Sequence, residues 1–284
     1  MRDEACVPFL QWALPRMGMR WKGFRKVRRQ VCRRIRDRIA ELGLDGPEAY
    51  REHLEACPGE WDRLAILCRV TISRFARDRG VFRFLRDEVL PTLATGTQQI
   101  RAWSVGCASG EEPYTLTILW RLELEPRFPD VTLRVLATDV DPTMLERARR
   151  GRYPSGTLRE LESDRVERAF QKGESEEEAF RLRQAFRAGV ELRRQDLRHE
   201  MPDESFHLIL CRNLAFTYFD EAEQKRVLSG LLDRLEPGGA LVLGAHESLP
   251  GPEGEWPLER WSPAEPVFRK ESRRTCIANI EAGG

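Results

Sequence analysis

The sequence predicts an α/β protein: a doubly wound parallel sheet, preceded by a small all-helical domain and interrupted by a small inserted subdomain. Three observations predict it. Residues 6–90 carry helical apolar periodicity throughout; after Pro91, short apolar runs alternate with helical stretches; and a charged, poorly patterned stretch at 153–194 breaks that alternation. The expected organisation is a helical N-terminal domain over 1–90 and an α/β domain over 91–284, with the insertion at about 153–194.

Taken in order, Phe24, Val27, Val31, Ile35, Ile39 and Leu42 recur at three- and four-residue steps, an apolar stripe on one helix. Arg25, Arg28, Arg29, Arg33 and Arg36 fall outside it. Gly43 ends that helix, Asp45-Gly46-Pro47 starts a turn, and further helices are expected at about 48–56 and 61–68. IRAWSV (100–105), VTLRVLAT (131–138), FHLILC (206–211) and residues 240–244 read as strands. Residues 112–124, 142–150 and 221–235 read as the helices between and after them.

Composition narrows the class. With 284 residues, 41% hydrophobic and 33% charged, the chain is long enough for a real core and has no apolar run near the roughly 20 residues a bilayer span needs. Its start lacks the basic, apolar and small-residue regions of a secretory signal, so a cytoplasmic protein without membrane insertion is expected. The seven cysteines contain no C-x-x-C pair and the four histidines lack metal-ligand spacing; buried reduced thiols and no metal are expected. The net charge of +1 conceals a basic stretch, 20–41, with ten Lys or Arg against two acids.

Three motifs fall at strand ends, where ligands bind in open α/β sheets. In WSVGCASGEEPY (103–114), Gly106, Ala108, Ser109 and Gly110 allow close backbone approach. Neither a Lys nor a G-x-G-x-x-G pattern is present, and Glu111 and Glu112 open the helix, which suits its dipole but repels phosphate. A cationic sulfonium with an amino-acid tail fits better than a polyphosphate; a purely structural turn is the alternative. In ATDVD (137–141), Asp139 is placed to bind a ribose diol, and Asp141 reads as an N-cap before Pro142. Arg212-Asn213 follow the FHLILC strand, with Tyr218-Phe219-Asp220 opening the next helix. Cys211 reads as a small buried apolar residue, having no His partner nearby.

FARD after Thr-Ile-Ser, GCASGEEPY, ATDVD, CRN…YFD and EPGGALVLGAHESL together resemble the chemotaxis-receptor glutamate methyltransferase (CheR) family, from about Phe24 to about Phe268. The resemblance implies a Rossmann-like methyltransferase sheet, S-adenosylmethionine (SAM) as cofactor and methyl transfer to glutamate carboxylates of a receptor-type protein. It implies that Thr71, Ser73 and Arg77 reach over the cofactor, Arg77 pairing with its carboxylate. Glu112 and Asp139 would bind its amino and ribose groups beside Gly106, and Asp196-Leu197 would flank the adenine. Arg212, Asn213 and Tyr218 would line the reaction centre, Asn213 on the cofactor side and Arg212 and Tyr218 orienting the acceptor. The chain departs from the family in three places: Thr71 stands for Asn, Ala76 for the second Phe of Phe-Phe-Arg, and the spacing from Asn213 to Tyr218 is one residue longer.

A carboxylate acceptor is already an anion at neutral pH and needs no general base, which agrees with the lack of a His-centred constellation. The basic N-terminal helix suits an acidic protein partner, with a merely solvated face as the alternative. Nucleic acid is disfavoured: the apolar stripe docks the helix inward and no aromatics interleave as stacking platforms. Two rival readings keep the cofactor: a small molecule or other protein as acceptor, and a SAM-binding sensor without turnover. Arg212, Asn213 and Tyr218 argue against the sensor. The sequence does not indicate an oligomeric state.

Overall fold

The computed structural model describes residues 3–173 and 179–272. The strands among the described residues are β1 (Gln99–Val105), β2 (Thr132–Asp139), β3 (Arg152–Tyr153), β4 (Phe170–Lys172), β5 (Phe180–Leu182), β6 (Val190–Arg194), β7 (Phe206–Leu210), β8 (Leu235–Val242), β9 (Leu258–Arg260) and β10 (Val267–Lys270). Seven form one sheet in the order β6-β2-β1-β7-β8-β10-β9. The β6-β2-β1-β7-β8 part is parallel, and β10 and β9 add antiparallel pairing at one edge. From β1 the chain winds outward to β2 and β6, then returns to lay β7 against the other side of β1. That reversal opens a crevice beyond the carboxyl ends of β1 and β7.

The central strands are apolar on both faces because helices cover both. Ala102, Trp103, Leu208, Ile209 and Leu210 have at most trace exposure. Helix Glu111–Leu119 follows β1, Pro142–Arg150 follows β2 and Glu221–Arg234 precedes β8. Asp141 caps its helix by accepting from the N–H groups of Thr143 and Met144, and Asp220 caps the next by accepting from Glu223.

Several expectations are corrected. The insertion is a three-stranded antiparallel sheet, order β3-β5-β4, and β6, expected to belong to it, pairs instead with β2 at the edge of the main sheet. β6 reads VELRR and is only half-buried, so it lacks the apolar run that marked the inner strands. Residues 6–90 are not helical throughout: Arg69–Arg74 is non-helical, and the helices after it pack on the sheet. Phe75, Val81, Phe82, Leu85 and Val89 share a core with Ile100 and Leu116, whereas a separate core closes over Cys6 to Cys68. The packing boundary thus falls near residue 70 rather than 90. The stripe expected on one helix is split between Trp21–Phe24 and Arg28–Glu41, with Val27 at the second N-cap.

The thiols are also corrected. Cys6 and Cys32 form a disulfide, Cα atoms 5.9 Å apart, joining helix Asp3–Arg16 to helix Arg28–Glu41. A sequence separation of 26 with no motif hides the pairing, because only the packing of two helices brings the residues together. Cys68, Cys107 and Cys211 are buried free thiols, Cys57 is exposed, and Cys276 lies outside the described residues.

Candidate active site

Three adjacent strand ends build the floor of one cleft. The Gly106 and Cys107 N–H groups both donate to the Thr138 carbonyl, tying the turn after β1 to the tip of β2. Gln195 N–H donates to the Asp139 carbonyl, tying the end of β6 to the same tip. Gly106 (φ +71°) lies so close to Leu214 that a Cβ would meet its Cδ2 at 2.5 Å. Only glycine satisfies both conditions.

Asp139 stands where the sequence expectation put a ribose-binding acid. Its Oδ2 accepts from Ala108 N–H (2.8 Å) and its Oδ1 from Asp141 N–H (2.8 Å), which fixes the carboxylate and leaves lone pairs toward the cleft. Burial pushes this carboxyl above its ordinary value, although the two backbone donors pull it down. Glu112 is likewise raised by burial; its Oε1 accepts from the Ser104 hydroxyl (2.8 Å) and its Oε2 from Arg212 (2.9 Å). Neighbouring Glu111 points away from the cleft into the core, where Ser109 donates to it and Ser73 helps to hold it. The two adjacent acids therefore divide, one anchoring the loop and one facing the cleft.

The segment from Arg69 to Arg77 crosses the cleft as a strap. Thr71, Ser73 and Arg77 all line it. Phe75 anchors the strap, fully buried, edge-on to Tyr153 and Phe170 of the inserted sheet, with its N–H on the Thr157 carbonyl. Ala76 and Asp78 both have positive φ (51° and 64°), strained for non-glycine residues and common at ligand clamps. Ala76 N–H is held by the Thr115 hydroxyl at 3.0 Å. A left-handed, buried position beside Thr115 suits the small side chain that replaces the family's Phe.

Arg212 lines the cleft and also ties its strap to its floor. Its Nη1 donates to Glu112, and its Nη2 donates to Asp78 Oδ2 (2.8 Å) and the Arg77 carbonyl (2.6 Å), over the Phe82 ring. Its side chain is 2% exposed. A guanidinium so held is a clasp between strap and floor, and its buried Nε has no partner among the described residues. The Arg77 guanidinium donates to the Ile72 carbonyl in its own strap. Its charge opposes the rise that burial imposes on the pKa values of Glu112 and Tyr218.

Tyr218 lines the cleft despite the longer spacing. Along this spacing Asn213 has a positive φ (55°) and Ala215–Tyr218 forms a short helix. The phenol packs edge-on to Phe24 of the helical domain, 5.0 Å between ring centres, and burial raises its pKa, so it remains a donor at neutral pH. Asn213 also faces the cleft. Asp196 and Leu197 lie at the β6 end of the cleft; Asp196 is paired with Arg198 (3.0 Å), a partner the sequence reading did not anticipate.

Two residues were missed. Glu247 holds the turn bearing Asn213, and Gln195 lines the cleft with its buried Oε1 unpartnered. Gln195 had no motif signal, since it looks like an ordinary residue after an edge strand. Among the described residues no metal-holding cluster of His, Cys, Asp or Glu is found.

The donor set fits a nucleoside with a cationic amino-acid tail: a turn without room for a Cβ, a fixed acid at the β2 tip, a second acid at the helix start and an orphaned acceptor at the β6 end. The fold and this cleft define a SAM-dependent methyltransferase. The CheR methyltransferase, SAM binding domain family matches residues 71–260. Chemotaxis protein methyltransferase of Listeria innocua is 32% identical over 78% of this chain and 82% of its own. A probable chemotaxis protein methyltransferase of Rhizobium etli is 31% identical over 78% and 84%. The chain belongs to the CheR methyltransferase family, and its cofactor is SAM. Among solved structures, SAM-bound CalS10, an amino pentose methyltransferase from Micromonospora echinaspora, is 21% identical, with a TM-score of 0.34 over 58% of this chain and 49% of that one.

Proposed function

We propose that this protein methylates glutamate carboxylates of an acidic, receptor-type protein. The observation that carries the reading is the composition of the cleft: Arg77 and Tyr218 offer a cation and a hydroxyl donor to an anion, and among the described residues no His or Lys lines it. A hydroxyl or amine acceptor would need a base; a carboxylate needs only alignment and desolvation. Bound SAM supplies an electrophilic methyl on a sulfonium. The protein's residues do the rest. Glu112 and Asp139 hold the amino and ribose groups, with Asp196, Leu197 and Asn213 beside them. Gly106 admits the ligand against the backbone, Thr71 and Ser73 cover it, and Arg212 clasps the strap. Arg77, expected from the sequence to meet the cofactor's carboxylate, is assigned with Tyr218 to orient the acceptor oxygen in line with the methyl carbon. SAM held by these residues would supply its methyl to the acceptor oxygen and leave as S-adenosylhomocysteine, with no proton for the protein to move.

Charge supports an acidic partner. Lys22, Arg25, Lys26, Arg29, Arg33 and Arg36 are exposed, whereas Arg34 and Arg38 are turned inward onto the carbonyls of Leu67 and Arg69 and onto Glu60. The named relatives are chemotaxis protein methyltransferases, which favours a chemotaxis-type acceptor. Among the described residues no helix is long and apolar enough to cross a membrane, and we place the protein in the cytoplasm, where the Cys6–Cys32 bond would face a reducing pool. The test is residue mapping by mass spectrometry after incubation with SAM and an acidic helical receptor fragment. Methylated glutamate is expected; methylation confined to lysine or to small molecules refutes the reading.

A further inference from the structure

Glu247 follows β8 in the sequence GAHESL, and its carboxylate gathers the turn between Arg212 and Tyr218. Oε2 accepts from the N–H groups of Asn213 (2.8 Å) and Gly244 (2.7 Å), and Oε1 accepts from the Thr217 hydroxyl (2.5 Å). Hydrogen bonds to an ionised acceptor are roughly twice as strong as neutral ones. Two of these partners frame the lengthened segment: Asn213 opens it in a left-handed conformation, and Thr217 immediately precedes Tyr218. A non-glycine residue holds such a conformation only where its surroundings over-determine it. Packing around the carboxylate is tight, since a Cβ on Gly244 would lie 2.8 Å from Glu247 Oε2 and 3.0 Å from Asn213 Cγ.

A second restraint acts from the other side. Arg20 of the helical domain donates its backbone N–H to the Tyr218 carbonyl (2.8 Å) and its Nε to the Thr217 carbonyl (3.1 Å). Arg20 therefore holds the backbone of the short helix, while Glu247 holds the turn that leads into it. The Glu247 carboxylate is not itself among the groups lining the cleft.

We propose that Glu247 is a positioning residue that locks the lengthened 213–218 turn so that the Tyr218 phenol stands in the cleft. This rests on the reading that Tyr218 meets the acceptor. The Glu247 charge reaches that phenol, raising its pKa against the opposing charge of Arg77. Without Glu247, Asn213 N–H and the Thr217 hydroxyl lose their acceptor, and the extra residue is free to relax in several ways.

The test uses the full chain carrying Glu247→Gln, Thr217→Val, Tyr218→Phe and their pairwise combinations. Three quantities are read: kcat for the protein acceptor, Kd for S-adenosylhomocysteine (SAH), and the spectrum of ring-labelled tyrosine. The sequence has four tyrosines, and Tyr218→Phe assigns the relevant signal. Glu247→Gln is expected to lower kcat by about 10- to 100-fold, with a smaller change in Kd, as misplacement of a reacting group does. Most of that loss should vanish in the Tyr218→Phe background, because residues acting through one another are not additive. Thr217→Val, which removes one bond and keeps the carboxylate, should show the same pattern more weakly. Additive effects, or a Kd that weakens in step with kcat, overturn the proposal. If the wild-type protein methylates no carboxylate, the Tyr218 reading fails, and the spectrum then decides for Glu247. A displaced Tyr218 signal in Glu247→Gln supports the positioning role; an unchanged one overturns it.

Discussion

The family resemblance implied that Arg212 orients the acceptor, and its guanidinium is also held by Glu112, Asp78 and the Arg77 carbonyl. Removing one partner of a buried pair strands the other, at about 3–5 kcal/mol. Arg212→Met is therefore expected to lower the melting temperature and weaken SAH binding, because it frees the strap and unpairs Glu112. Calorimetry showing wild-type affinity and loss of kcat alone would return Arg212 to an acceptor-facing role. Burial raises both Glu112 and Asp139 above their ordinary values. As pH falls, each takes up a proton earlier than an exposed acid, and the neutral form loses its attraction for the ligand. SAH affinity should thus decline on acidification before the ordinary carboxylate range is reached. Their contribution to stability runs oppositely, present below the unfolded values and lost as pH rises through the raised ones. Calorimetry across a pH series checks the affinity arm; a flat profile down to the ordinary range contradicts it.

At the scale of elements, the floor of the cleft was legible in the periodicity of the sequence, and its roof only through the family resemblance that named Thr71, Ser73 and Arg77. Gly106, Glu112 and Asp139 follow apolar parallel strands, whose periodicity and fixed topology place any residue at their ends. The strap from Arg69 to Arg77 sits between helical stretches and has no period of its own, so it merged into the helical domain. Its anchoring by Phe75 depends on the inserted sheet, whose strands of two or three residues are too short for alternation to register. The Glu247 hub was hidden because its partners meet across loops, whereas Arg198 lies only two residues from Asp196 and its pairing is set by the local turn. The contact between the helical domain and helix Ala215–Tyr218 was equally invisible. There Gly23 passes so near the Thr217 carbonyl that a Cβ would lie 2.2 Å from its oxygen. Gly23→Ala should push the helical domain off this helix, lowering kcat and thermal stability together. Unchanged values in activity and melting assays would show that the contact is dispensable.

For the whole molecule, the basic helix and the cleft belong to one mechanical unit. Arg34 reaches from helix Arg28–Glu41 to the carbonyls of Leu67 and Arg69, where the strap begins, and the same helix presents its exposed cations outward. Electrostatic steering toward an acidic acceptor acts mainly on encounter and weakens with salt. Reversing charge with Arg29→Glu and Arg33→Glu should raise KM for a protein acceptor and leave SAH affinity unchanged; an unaltered KM removes the helix from acceptor recognition. The central claim concerns the bond that is formed. Methyl-labelled SAM and an acidic receptor fragment are incubated with the protein, and the labelled product is treated with alkali. Release of the label as volatile methanol is the result predicted for a carboxyl ester, and label that stays on the protein through alkali would contradict it.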